Sequence, residues 1–220
     1  MRDGDIWTEL QKAAQPEHIH LIVTGTHGRT GMSKLVLGSA AERIFRRAPG
    51  LVLTVGPSTP PDAPPFPSAT PRSLLFPTDL SEASLRALPY AISLANQRPI
   101  ELVLRPVLSP VFQVSSDRWW TPGDVTQAQA EAKATTRKHL EQLIAAANLA
   151  IEPAFTVEFG DPHEGILQAA ETLYASFITM GLKRRTHVET LSHLPWSTVH
   201  DFACRALCPV LTVRSEAAAQ

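Results

Sequence analysis

Short apolar runs alternate with amphipathic stretches along most of this chain, and the alternation is clearest beyond residue 72. Residues 73–77 read as a buried strand, and Ser81 is placed to cap a helix over 81–96. A strand is expected over 101–107, then a long helix over 123–148 with Leu140, Leu143, Ile144 and Ala147 on one face. Next come a strand over 154–159, a helix over 163–174 and a strand over 176–180. A last helix from Ser197 leads into the strand Pro209–Val213. Such alternation predicts an α/β fold, a doubly wound parallel sheet of five strands with helices on both faces and any ligand at the strands' C-terminal ends.

The opening segment carries only the closing part of that unit: a helix over 4–14, a strand over 21–24, a loop, a helix over 39–47 and the strand Leu51–Val55. The two segments repeat each other. Gly4-Asp5 and Ala13-Ala14 recur as Gly160-Asp161 and Ala169-Ala170, and Ile22 and Gly25 as Ile178 and Gly181. Val52–Val55 then matches Val210–Val213 with a shift of about two residues, which places a small insertion after Gly181. A proline-rich stretch over 58–71 reads as an extended, semi-rigid linker. The predicted organisation is a partial domain over 1–57, the linker, and a complete domain over 72–215. Two strands cannot bury both faces of a parallel sheet. The first segment therefore either continues upstream or leans on the second domain or another chain. The two terminal apolar strands, Leu51–Val55 and Pro209–Val213, are candidates to pair, as a homodimer or as an intramolecular pseudo-dimer.

The strand over 21–24 runs directly into G-T-H-G-R-T-G-M-S-K-L-V-L-G-S, residues 25–39. A strand that enters a glycine-spaced loop and then a helix suits phosphate. Glycines let the backbone take positive φ or lie close to a ligand, and a helix start offers free amides to an anion. Ser39-Ala40-Ala41-Glu42 also reads as a capping box, which needs no ligand.

The spacing Gly25-x2-Gly28-x9-Gly38-Ser39 resembles the ATP-binding signature of the universal stress protein (UspA) family. The opening of the second segment, L-L-F-P-T-D-L-S-E-A-S-L-R-A-L, and its end, R-A-L-C-P-V-L-T-V-R, resemble the start and finish of a domain of that family. The resemblance covers nearly the whole chain, as in tandem members. It implies a Rossmann-like, adenine nucleotide alpha hydrolase-like sheet of five strands, preceded by the C-terminal part of a second such domain. It also implies pairing through final strands, and ATP with a divalent cation as ligand. Carried over by position, Gly25, Gly28, Gly38 and Ser39, with Thr26, His27, Arg29 and Ala40 beside them, fall on the phosphate and ribose contacts, and Asp79 on the acidic residue near the adenosine. In the second repeat Arg184 stands at the second glycine position and Trp196 aligns with Gly38. Only Gly181 and Ser197 survive there, so that repeat is expected not to bind ATP in the family's manner. The loop and Asp79 belong to different repeats, and neither repeat holds a whole pocket.

Composition narrows the partners. A formal net charge of −1 gives no bulk pull toward nucleic acid or anionic membrane. The apolar runs are of strand length, too short to span a bilayer, and residues 1–5 show no signal-peptide core. Two cysteines, Cys204 and Cys208, cannot build a disulfide framework, which favours a reducing cytoplasm, and they read as buried inert thiols. His187, His193 and His200 lack the spacing of a metal site. The basic residues Arg29, Lys34, Arg43, Arg46 and Arg47 read as phosphate-facing or as a solvated helix face. Trp119-Trp120 reads as a packing pair or a lid. No general base is arranged around the loop, and the Ser-Gly-Gly phosphate loop of related hydrolases is absent after the first strand of the complete domain. A regulatory binding module, not an enzyme, is the expected function. The alternative is a nucleotide-free interaction scaffold of the same fold.

Overall fold

The computed structural model describes residues 6–14, 19–26, 38–48, 50–59, 73–97, 100–108, 121–147, 153–182 and 196–214. The first segment supplies α1 (Ile6–Ala14), β1 (Leu21–Gly25), α2 (Ser39–Arg47) and β2 (Gly50–Val55). The second supplies β3 (Ser73–Thr78), α3 (Glu82–Leu85), α4 (Leu88–Gln97), β4 (Glu101–Leu108), α5 (Pro122–Ala147), β5 (Ala154–Phe155), β6 (Glu158–Phe159), α6 (Pro162–Thr172), β7 (Phe177–Leu182), α7 (Trp196–Arg205) and β8 (Val210–Arg214).

Three elements differ from the sequence expectation. The helix expected over 81–96 is two helices. Ser81 caps the first as predicted, its hydroxyl accepting from the Ser84 amide. Pro89 has no N–H to continue that ladder, and the chain tightens at Ala87, whose amide donates to Ser84 O at 3.0 Å, before α4 begins. The strand over 154–159 is interrupted at Thr156 and Val157, so that β5 and β6 pair separately with β4. The helix expected to reach residue 174 ends at Thr172, with Tyr174 in the left-handed region at φ 48°. There the Ala175 amide donates to Ala170 O and the Tyr174 amide to Glu171 O, the paired bonds of a Schellman ending.

All strands but β6 join one path, β1-β2-β8-β7-β3-β4-β5. β3, β4, β5, β7 and β8 run parallel, forming the doubly wound layer the alternation predicted. β1 and β2 are parallel to each other, and β2 joins β8 antiparallel. The two terminal apolar strands therefore pair within the chain, and they lie in the middle of the sheet.

The junction is pseudo-symmetric. Val52–Val55 is the repeat equivalent of Val210–Val213, and Leu53 pairs with its own equivalent Leu211. Val52 faces Thr212, while Val210 faces Thr54. Each repeat thus offers the other the same surface, the property of a two-fold interface. The symmetry breaks at the threonines. Thr212 Oγ1 donates to Val52 O at 3.2 Å, whereas Thr54 Oγ1 is buried without a partner.

Two apolar layers flank the sheet. On one side Trp7, Leu10 and Ile44 of the first segment join Ile166, Ala169, Phe202, Ile178 and Val210 in a continuous core. On the other, α4 and α5 contribute Leu88, Ala91, Ala95 and Leu140 over Leu74, Phe76, Leu102 and Phe177. The first layer spans both repeats. The second is centred on the complete repeat, and α4 rests on β3, β4 and β7.

Candidate functional site

β1 ends at Gly25, and Thr26 beyond it is buried. The Thr26 amide donates to Val55 O at 3.1 Å, extending the β1–β2 pairing by one residue. Its carbonyl accepts from the Gly38 amide at 2.8 Å. This last bond ties the two ends of the β1–α2 loop together, so Gly25, Thr26, Gly38, Ser39 and Ala40 lie at one place at the end of β1. His27, Gly28, Arg29 and Lys34 lie outside the described residues.

The capping-box reading is corrected here. Gly38, extended at φ −60° and ψ 147°, is the N-cap of α2, and it makes no side-chain cap bond. Glu42 N donates to Gly38 O at 2.8 Å, the first bond of the helix ladder. Ser39 is therefore the first helical residue and spends no hydroxyl on a cap. The amides of Ser39, Ala40 and Ala41 have no carbonyl one turn back to bond, as at any helix start. Ser39 is exposed, while Ala41 is buried against Cys204 of α7. Gly25 differs from the sequence expectation as well. The left-handed glycines among the described residues are Gly50 and Gly160, so Gly25 owes its place to something other than positive φ.

Asp79 follows β3 and is exposed. Its Oδ1 accepts from the Ser81 amide at 2.9 Å, and Thr78 Oγ1 accepts from the Leu80 amide and from Ser84 Oγ. These bonds hold Leu80 at φ 59°, an uncommon conformation for a leucine. Asp79 is not brought to the loop. β1 and β3 are four inter-strand steps apart in the sheet, roughly 19 Å at about 4.8 Å each. Moreover β2 runs against β8, so β1 ends at the sheet edge where β3 begins. The grouping of Asp79 with the Gly25–Ser39 loop does not assemble within one chain. Sequence spacing revealed the two halves but not the antiparallel junction that turns them apart.

Cys204 and Cys208 are free and buried. Burial pushes the Cys208 thiol up to about 12; burial first and Asp201 second raise that of Cys204. Cys208 lies beyond the end of α7, so the two are not on one helix face as the spacing suggested. Among the described residues no group of three His, Cys, Asp or Glu could hold a metal ion. His187, His193, Arg184 and Trp119-Trp120 lie outside the described residues, as do the side chains of His200, Trp196 and Arg46. Arg43 and Arg47 are exposed on α2. The sequence reading missed Trp7, which anchors α1 in the core shared by both repeats, and the α6–α7 polar cluster, in which Arg205 pairs with Asp201 at 2.8 Å and Glu164 at 3.1 Å. The shallow groove beside it, about 450 Å³, is lined by α6 and the turn after α7.

The Universal stress protein family matches residues 1–56 and 71–214, which leaves out only the linker and the C-terminal tail. The chain belongs to the universal stress protein family. A universal stress protein of Methanocaldococcus jannaschii is 40% identical over 55 residues, 25% of this chain and 32% of that protein. A universal stress protein structure from Archaeoglobus fulgidus superposes with a TM-score of 0.64 at 23% identity, over 94% of this chain and 66% of that one. One from Pseudomonas aeruginosa gives 0.66 at 19% identity, over 97% and 69%. The chain thus spans about two-thirds of the length of these structural relatives, and at such identities they share its fold. No helix among the described residues is long and apolar enough to cross a membrane.

Proposed function

We propose that this universal stress protein segment is a cytoplasmic regulatory module, not an enzyme, and that its β1–α2 junction receives the phosphate end of an adenine nucleotide, ATP with a divalent cation. One observation carries the reading: the Thr26–Gly38 bond closes the loop beside a helix start whose Ser39 hydroxyl and first amides are not consumed by a cap. Free amides and the positive end of the α2 dipole favour an anion there. Gly25, Thr26, Gly38, Ser39 and Ala40 fit the phosphate end, and His27, Gly28 and Arg29 of the intervening loop complete the cradle. Asp79 does not fit the adenosine end of the same ligand, because it sits at the opposite sheet edge. The cradle is therefore a phosphate site first, with base recognition supplied by other groups.

Calorimetric titration of the full chain with Mg-ATP tests this. Saturable binding that Gly28→Arg abolishes and inorganic triphosphate competes away is the expected result. Absence of binding, or a Gly28→Arg variant that binds as well, overturns it in favour of the interaction scaffold. That second reading draws support from the β2–β8 junction, which builds a pseudo-dimer without any ligand.

A further inference from the structure

Leu21, Val23 and Gly25 form one side of β1, and their repeat equivalents Phe177, Thr179 and Gly181 form the same side of β7. On β7 that side is closed: Phe177 is 7% exposed and Thr179 0%. β3 pairs along the outer edge of β7 at Leu74↔Phe177 and Leu75↔Ile178, and α3 and α4 lie over its face. The closest approach falls at Gly181, where a Cβ would stand 2.0 Å from Ala83 O and 2.7 Å from Ser84 Cα. The glycine is thus a socket for the turn that joins an incoming strand to its helix.

On β1 the corresponding side is open. Leu21 is 43% exposed and Val23 61%, Gly25 is exposed, and β1 ends the sheet with no strand on its outer edge among the described residues. Its other side is not open, since Ile22 packs into the core beneath α1 and α2. One face, one edge and one glycine socket are therefore unmet together, and in the second repeat all three are met by a single continuous unit.

We propose that the open side of β1 is a docking surface for a partner polypeptide that adds a strand along the β1 edge, turns over Gly25 and lays an amphipathic helix across Leu21 and Val23. Strand addition supplies backbone hydrogen bonds, and the helix supplies the apolar cover. A second copy of the chain meets these needs less well. Pairing two β1 edges about a two-fold axis sets Leu21 and Val23 of both copies side by side on one still-open face. Stacking two such faces leaves both edges unpaired, and the few side chains involved fall well short of the roughly 800 Å² per partner of a stable interface. The inference does not rest on the nucleotide reading.

A fluorescent peptide with the sequence of residues 73–97, the unit that closes β7, is the probe, titrated against the full chain. Saturable one-to-one binding is expected, weakened at least tenfold by Val23→Asp and by Gly25→Val, and unchanged by Tyr174→Asp at an exposed position elsewhere. Val23 is exposed, so its substitution leaves folding intact, and circular dichroism of each variant verifies this. Absence of saturable binding, or binding that neither β1 variant weakens, overturns the proposal. So does a concentration-dependent dimer in sedimentation that Val23→Asp dissolves, because it gives the surface to a second copy. Mg-ATP binding is measured in parallel with Val23→Asp, which lies outside the phosphate cradle and separates failure of one reading from failure of the other.

Discussion

The same substitution at two equivalent glycines, Gly181→Ala and Gly25→Ala, should give opposite results. At Gly181 the new methyl group would lie 2.0 Å from Ala83 O, 2.7 Å from Ala83 C and 2.7 Å from Ser84 Cα, all backbone atoms. Ordinary contact begins near 3.4 Å, so the α3 turn must retreat by about 1.4 Å. That retreat pulls on the Thr78–Ser84 hydroxyl bond and the Ser81 cap, which fix α3 to the end of β3. Overpacking of this kind costs about 3 kcal/mol, the upper part of the usual range, because backbone cannot rotate away as a side chain can. With a urea m-value of about 2 kcal/mol/M the midpoint falls by roughly 1.5 M. At Gly25, exposed and not left-handed, alanine should change stability by less than about 0.5 kcal/mol. Urea unfolding followed by far-ultraviolet circular dichroism reads both. Equal losses at the two positions would refute the socket argument, for they would mean that the β1 side is already filled.

The junction threonines should also diverge. Thr212→Val removes the bond to Val52 O and should cost about 1 kcal/mol, whereas Thr54→Val removes an unpartnered buried hydroxyl and should be neutral or stabilising by thermal melts. Asp161 caps α6 by accepting from the His163 and Glu164 amides, so Asp161→Ala should cost about 1 kcal/mol in the same assay. Cys208 should resist thiol reagents at pH 8 until the chain unfolds, and rapid labelling of the native protein would contradict its burial. Its folded pKa, about 12, lies above the ordinary value of 9.0. The unfolded chain therefore ionises first, and the contribution of this thiol to stability is constant below pH 9 and falls as pH rises from there toward 12.

The alternation of apolar and amphipathic stretches was enough to determine the elements of the complete repeat and their parallel layer, because local periodicity reports which face of each element meets a core. Punctuation was legible only in part. The Ser81 cap was readable, since serine at a helix start has one strong local use. The break at Pro89 was also in principle readable, because proline removes a donor wherever it stands. The capping box at Ser39 misled, because the same four residues allow either Gly38 or Ser39 to be the half-helical residue, and the Thr26–Gly38 bond decides between them.

The repeat, the family and the phosphate-loop spacing were likewise written in residue order. What residue order could not carry was the sense of the β2–β8 pairing. Parallel or antiparallel, those strands show the same apolar pattern, and only their packing sets Asp79 at the opposite edge from Gly25 and leaves Val23 in solvent while Thr179 is enclosed. Local sequence settles what each piece is. Which pieces face one another depends on which apolar surfaces can be buried together, and that is a property of the whole sheet.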